Sequence, residues 1–411
     1  MALNDRGSIL SRRAVLAGAG AFAAFTPLPY SVRAAAGRQP LFIVIVLRGA
    51  LDGLAAVGPI GDPDYATLHG SLALSLVGDH AALPLDGFFA LNPAMPTFAR
   101  LYRAGKAAIV HAVATSYRER SHFDGQDVLE SGYSGPGRTD SGWLNRAAGA
   151  LPGIGPRTPR GLGVGAVPPL IMRGPAPVFG WAPQTLAAAG SDLAARVLDL
   201  YTHTDPALAV ALRAGLEIDK LATADGISGG MARAAGGPNQ PNVMRSTAIG
   251  VAKLLAGDDS PFAAALAFDG WDTHANEGGA TGQLAARLAG LDGALEELEK
   301  GLGARWKDTA IAVITEFGRT ARINGTSGTD HGTATVAFLA GGAIRGGRVI
   351  ADWPGLKPSQ LYEDRDLKPT ADLRAVLKGL LADQFGIPAG VLAERVFPDS
   401  ASVKPLAGLI A

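Results

Sequence analysis

Residues 315–332 read Thr-Glu-Phe-Gly-Arg-Thr-Ala-Arg-Ile-Asn-Gly-Thr-Ser-Gly-Thr-Asp-His-Gly, gathering an acid (Glu316), a guanidinium (Arg319) and an Asp330–His331 pair in one Gly-rich loop. Carboxylates and imidazole are donors for a divalent cation, and a guanidinium beside them is suited to holding anionic oxygens. The loop directly follows an apolar run at 309–314, whose β-branched content and polar bounds predict a buried strand. Glu316, Arg319, Asp330 and His331 would then gather at the carboxyl end of that strand, the edge at which open α/β sheets bind ligands.

Three other apolar runs end in polar clusters. After 41–47 comes Arg48-Gly49-Ala50-Leu51-Asp52-Gly53, an Asp among glycines that let the backbone approach a ligand. Taken alone, Asp52 reads more readily as a turn residue bonding its own backbone. After 107–113 comes Tyr117-Arg118-Glu119-Arg120-Ser121-His122-Phe123-Asp124. Ser121 suits the N-cap of a helix starting near Phe123, and also a nucleophile facing that helix N-terminus; capping is the simpler reading, and the two can coincide. His122 fits a ligand, a base or a surface position. After 262–268 comes Asp269-Gly270-Trp271-Asp272-Thr273-His274. Asp272 and His274, two apart in an extended segment, point the same way and can share one cation, with Trp271 making the surroundings apolar.

The elements that must position these clusters alternate between short apolar runs and helical patterns, so the fold expected is α/β: a large, mostly parallel sheet with helices on both faces. The stripe Leu284, Leu288, Leu291, Leu295, Leu298 and Leu302 marks a core-facing helix rather than a zipper, since it spans under three heptads and contains Gly290 and Gly293. A Pro- and Gly-dense stretch at 152–183 and a helical pattern at 191–221 suggest an inserted cap at about 151–240, and 224–241 reads as a surface loop. An amphipathic helix is expected over 370–385. His69, His80 and His203 lack paired ligands and read as surface or capping residues; His111, inside a strand, reads as a core histidine.

Ser11-Arg12-Arg13-Ala14-Val15-Leu16, the apolar run 17–25 and Ala34-Ala35-Ala36 have the order of a twin-arginine export leader, with cleavage expected after Ala36. The apolar stretch is about half the roughly 20 residues that a spanning helix needs, so no stable membrane anchor is expected. The localisation expected is periplasmic or extracellular after passage through the twin-arginine translocase, with 37–411 as one domain. The leader holds four of 37 basic and one of 37 acidic residues, which leaves the remainder mildly acidic and without a footprint for nucleic acid. With no Cys, thiolate sites and disulfides are excluded, and any metal is held by His, carboxylates, hydroxyls or water. No dinucleotide Gly fingerprint supports an oxidoreductase.

Together, the twin-arginine leader, Leu47-Arg48-Gly49-Ala50-Leu51-Asp52-Gly53, Arg120-Ser121-His122-Phe123-Asp124, Gly270-Trp271-Asp272-Thr273-His274, Glu316-Phe317-Gly318-Arg319-Thr320 and Gly328-Thr329-Asp330-His331-Gly332 resemble the bacterial domain-of-unknown-function family numbered 1501. The similarity extends to the tail motif between Gly346 and Leu356. That family in turn resembles the alkaline phosphatase and sulfatase superfamily, which implies a metal site at the carboxyl ends of the strands. By that resemblance Asp52 matches the acidic ligand after the first strand, Ser121 falls near the nucleophile, Asp272 and His274 form a ligand pair, and Glu316 and His331 return to the site. Phe317 departs from the pattern by standing where a His is usual, and without Cys no formylglycine can form.

The resemblance implies a divalent metal, zinc ahead of manganese, magnesium or calcium, with Asp52, Asp272, His274, Glu316, Asp330 and His331 as ligands. Ser121, His122 and Arg319 would be catalytic, and Arg48 or Arg120 could also hold anionic oxygens. The activity expected is hydrolysis of a phosphate or sulfate ester of a small molecule or surface polymer, by Ser121 or by a water. The alternative is an exported binding or assembly protein that keeps the fold and at most a structural metal.

Overall fold

A computed structural model describes residues 39–151, 160–165, 167–182, 197–199, 201–202, 205–223, 241–257 and 260–411. The leader, His203 and all but Pro241 of the surface loop expected at 224–241 lie outside the described residues. Among the described residues, no helix is long and apolar enough to cross a membrane.

Nine strands form the main sheet: β1 (Leu41–Leu47), β2 (Ala107–Ala114), β3 (Gly161–Val164), β4 (Val178–Trp181), β5 (Ala263–Phe268), β6 (Thr309–Thr315), β7 (Thr335–Ala340), β8 (Arg348–Ile350) and β9 (Ala371–Asp372). Their order is β8-β2-β7-β6-β1-β5-β3-β4, with β9 paired to β2. Only β7 runs antiparallel to its neighbours. The sheet is thus mixed and mostly parallel, as the alternating pattern predicts. β3 and β4 come from the stretch expected to be an insert, and they extend the sheet by backbone pairing with Leu162 and Trp181 buried.

β1 lies at the centre and every residue of it is buried. Its period-2 pleat divides the core: Leu41, Ile43, Ile45 and Leu47 join one cluster, and Phe42, Val44 and Val46 the other. The first face is covered by α1 (Pro96–Arg103), α5 (Pro241–Leu255) and α6 (Gln283–Leu302), the second by α3 (Trp143–Ala150) and α7 (Leu373–Phe385). Two more helices, α2 (His122–Ser131) and α4 (Pro206–Thr223), complete those used below. The leucine stripe of α6 faces the core as expected, and Gly290 interrupts it for a reason: a Cβ there would stand 2.7 Å from Pro241 Cα, so its absence lets α5 cross closely. At the C-terminal end, 371–372 pair as β9 instead of starting the helix, because Asp372 caps α7 through a 2.8 Å bond from the Arg374 amide.

Leu288 is wholly buried in the first cluster. Leu288→Ala is expected to lower unfolding stability by roughly 2–5 kcal/mol in urea titration while leaving the strand-edge loops intact, since the cavity opens on the helix side.

Candidate metal centre

The sheet register brings distant loops to one edge. Leu47 is in register with Phe268 and with Thr315, so β1, β5 and β6 end at one level. Thr335, the first residue of β7, pairs with Val113 near the end of β2. Because β7 is antiparallel, it is the loop before it, carrying His331, that reaches this edge. Contact between the first two loops is backbone against backbone: Gly49 has φ of 116°, and a Cβ there would lie 2.6 Å from the Asp272 amide nitrogen. The segment after β6 folds back on itself, with Gly332 N donating to Gly318 O at 2.8 Å and Arg319 bridged to His331.

Three imidazoles meet here, each with its Nδ1 on an acceptor. His122 Nδ1 lies 2.9 Å from Glu316 Oε1, His331 Nδ1 2.9 Å from the Arg120 carbonyl and His274 Nδ1 3.2 Å from Asp330 Oδ1. Ionised carboxylates and carbonyls only accept, so these partners assign the proton to Nδ1 and leave Nε2 of a neutral ring as a lone pair. The Nε2 atoms converge. That of His331 lies 2.9 Å from His122 Nε2, 3.0 Å from His274 Nε2 and 3.2 Å from Asp272 Oδ1. Asp272 Oδ1 is 2.9 Å from His274 Nε2, and its Oδ2 is 3.4 Å from His122 Nε2. Filling both nitrogen–nitrogen contacts with protons would put an imidazolium on each side of one ring; a single cation satisfies all four donors. His122, Asp272 and His331 offer ligand atoms within 4.8 Å of one another, and His274 adds a fourth donor, so the residues present fit a divalent metal ion.

The electrostatics divide among the donors: they favour a neutral His331 and an ionised Asp272, as a cation requires, whereas His122 is drawn toward its protonated form. The Glu316 hydrogen bond holds His122 above its ordinary pKa against the opposing effect of burial. Burial, then the charge of His122, pushes His331 down. Burial would raise Asp272, but the Arg319 hydrogen bond and charge bring it below the usual carboxylate value. The side chains of His122, Asp272, His274 and His331 remain 24%, 38%, 44% and 26% exposed, so the centre opens to solvent rather than being sealed in the core.

Other residues of interest stand around this group. Glu316 and Asp330 hold imidazoles by Nδ1 rather than facing the convergence point. Phe317 stacks on His122 with ring centroids 5.0 Å apart. The Arg319 side chain is buried; Nη1 donates to Asp272, Nε to Thr329 Oγ1 at 3.1 Å and Nη2 to the Thr329 carbonyl. Arg48 pairs with Glu130 and Arg120 with Asp366 and Glu363. Ser121 precedes α2 but makes no side-chain capping bond, unlike the simpler expectation. Its hydroxyl is not hydrogen-bonded to any of the four convergent donors.

Asp52 faces away from that group. Its Oδ1 accepts from Leu54 N at 2.9 Å and Ala55 N at 3.1 Å, as the turn reading anticipates. Its Oδ2 lies 3.2 Å from Nε2 of His69, misaligned for a hydrogen bond. His69 is not a surface residue: it is wholly buried, with Nδ1 3.0 Å from the Ala321 carbonyl. Nothing in the spacing of His69, 17 positions after Asp52, signals this pairing; it arises because the short helix Tyr65–His69 packs under the loop after β6. Glu277 was also illegible. It is buried, accepts from Thr329 Oγ1 at 2.6 Å, and is pushed up to about 8 by burial and then by the charge of Asp52. His111 is buried as expected, with Nε2 3.0 Å from the Val57 carbonyl.

An α/β sheet with histidine and carboxylate donors at its strand ends defines the class. The chain belongs to the family described as protein of unknown function (DUF1501), whose profile matches residues 92–396. A search of curated proteins finds no match. Among solved structures, the chain is similar to Ps i-CgsB in complex with k-i-k-neocarrahexaose at 10% identity and a TM-score of 0.40, covering 90% of this chain and 75% of that one. It is also similar to Ps i-CgsB alone at 11% identity and a TM-score of 0.41, covering 90% and 77%. A third is the phosphonate monoester hydrolase of Agrobacterium radiobacter, at 11% identity and a TM-score of 0.31, covering 76% and 70%.

For the buried pair, desolvation alone would raise Asp52 and lower His69, but their mutual attraction leaves Asp52 lowered and His69 raised. The lowered acid contributes stability in full above its ordinary 3.8 and the raised base in full below its ordinary 6.5. His69→Gln is therefore expected to cost about 3–5 kcal/mol in urea unfolding, by leaving the Asp52 charge buried and unpaired. The deficit should be largest between those two pH values and shrink as pH rises through the elevated folded-state value of His69; a deficit independent of pH would contradict the pairing.

Proposed function

We propose that this chain is an exported, metal-dependent hydrolase of phosphate or sulfate esters, with His122, Asp272, His274 and His331 holding one divalent cation, zinc by preference. The observation that carries the reading is the convergence of three Nδ1-anchored imidazoles and one carboxylate at a solvent-open strand edge. Such a nitrogen-rich donor set, with acceptors fixing each ring from behind, suits zinc better than the all-oxygen shells of magnesium or calcium. A bound divalent cation would polarise an ester oxygen and lower the pKa of a water molecule.

This chain's own residues prepare that chemistry. Glu316, Asp330 and the Arg120 carbonyl keep the three Nε2 lone pairs aimed at one point. Arg319 keeps Asp272 ionised and fixes its carboxylate, while Phe317 covers one face of His122. Asp52 supports the loop after β6 through His69. Ser121, adjacent to His122 at the start of α2 and in contact with the Tyr117 hydroxyl, is one candidate nucleophile, and a water is the other consistent with an open site. Resemblance to the alkaline phosphatase and sulfatase superfamily supports the ester class, and the Ser11–Leu16 motif supports export.

One observation favours the second reading, an exported binding protein with a structural metal. Arg48, Arg120 and Arg319 are all engaged by carboxylates, so none of the three is free to hold ester oxygens next to the donors.

Metal analysis by mass spectrometry decides first. Near-stoichiometric metal is expected in the purified wild type and its loss in both Asp272→Ala and His331→Ala. Glu316→Gln should weaken metal affinity by roughly 10–100-fold without altering the circular dichroism spectrum, because it removes the charge behind His122. The loaded wild type should then cleave aryl phosphate or sulfate esters, and the two ligand variants should not. Wild type that takes up no metal removes the proposal; metal uptake without cleavage across the ester panel leaves the binding protein.

A further inference from the structure

Beside the centre, with Asp330 in its wall, lies a cleft of about 220 Å³. Its walls are apolar at Leu68, Ile323 and Leu361, and its polar side chains come from the hairpin after β6 and from the loop at 361–366. Much of its hydrogen-bonding capacity is already used. Asp330 accepts from His274 and Asn324, and Asn324 Oδ1 accepts from the amides of Thr326 and Gly328. The Thr320 hydroxyl donates to the Arg322 carbonyl and accepts from Asp330 N.

What remains is mostly donor. Among the described residues, the side chain of Arg322 makes no hydrogen bond or ion pair. Arg365 uses Nη2 on the His331 carbonyl at 2.8 Å and keeps Nη1 only loosely near Asp366, at 3.6 Å. Asp364 is the one lining carboxylate without a partner. Two guanidinium groups with spare N–H groups therefore outnumber the free acceptor, and a ligand that completes them is rich in acceptors. Arg365 also ties this cleft to the backbone of His331, so a group bound here lies within one side chain of the convergent donors.

From this geometry we infer that the cleft is a binding subsite for an anionic group, a sulfate, phosphate or carboxylate on a compact organic body, with Arg322 as its main counter-charge. The inference deepens the hydrolase reading and rests on it for its purpose: the substrate carries a second anionic group next to the ester that reacts. It also resolves a tension in that reading, because the cation that Arg48, Arg120 and Arg319 cannot supply is offered here. Binding itself requires no metal.

That independence allows a clean test with glucose 6-sulfate and glucose as probes, which share the polyol and differ in charge. Calorimetric titration of the metal-free wild type should show saturable binding of glucose 6-sulfate and none of glucose. Arg322→Ala should weaken the sulfated probe roughly tenfold or more, and Arg322→Lys should recover part of the loss, because a bidentate charge-assisted contact is removed and a point charge restored. Arg322 is exposed, and circular dichroism of both variants should match the wild type. Equal binding of the two sugars, absence of binding, or affinity unchanged in Arg322→Ala overturns the subsite. Metal content reports separately: a subsite that passes in a protein unable to bind metal leaves the anion site standing and removes the hydrolase, and the converse removes only the subsite.

Discussion

Everything at the strand edge depends on one constraint: three imidazole lone pairs and a carboxylate are held about 3 Å apart, pointing inward, although they repel one another. Nothing local to any one histidine can do this. Each ring needs an acceptor behind it that comes from a different part of the fold: Glu316 at the end of β6 for His122, Asp330 on the following hairpin for His274, and the Arg120 carbonyl before α2 for His331. The level ends of β1, β5 and β6, and the single antiparallel strand β7, bring those parts together.

Behind the open centre lies a layer of buried polar groups that would be costly without partners. Arg319 links Asp272 to Thr329, and Thr329 links onward to Glu277. Asp52 and His69 close the layer under the loop after β6. Burial raises the penalty for any lone charge in this layer, which is why an acid beside Asp52 is driven toward its neutral form, as Glu277 is. The gradient from sealed charges behind to half-exposed ligands in front is the arrangement expected where a cation is held rigidly and approached from solvent.

Much of the scaffold was legible from the chain. The runs at 41–47 and 309–314 are too apolar to be anything but central strands, and the α6 stripe could face only a core. Within 151–240, short strands such as Gly161–Val164 pair through their backbones and need little side-chain signal, so the Gly and Pro density there does not announce them. At the edge, residue types and strand-end positions nominated Asp52, Asp272, His274, Glu316, Asp330 and His331 as ligands and His122 as catalytic, but spacing alone could not separate those that face one point, His122 among them, from those that stand behind or turn away. His69 and Glu277 left no local trace, because their partners are distant in sequence and meet them only through packing.

The chain by itself determined the class of fold, the edge at which chemistry gathers and the absence of thiolate donors, because periodicity, strand-end position and composition are local properties. Tertiary structure alone decided which nitrogen of each histidine is bare, which arginines are spent in ion pairs, and which one stays open beside the Asp330 cleft. Those are properties of pairs of groups tens to hundreds of residues apart, and only the register of the sheet brings them within hydrogen-bonding distance.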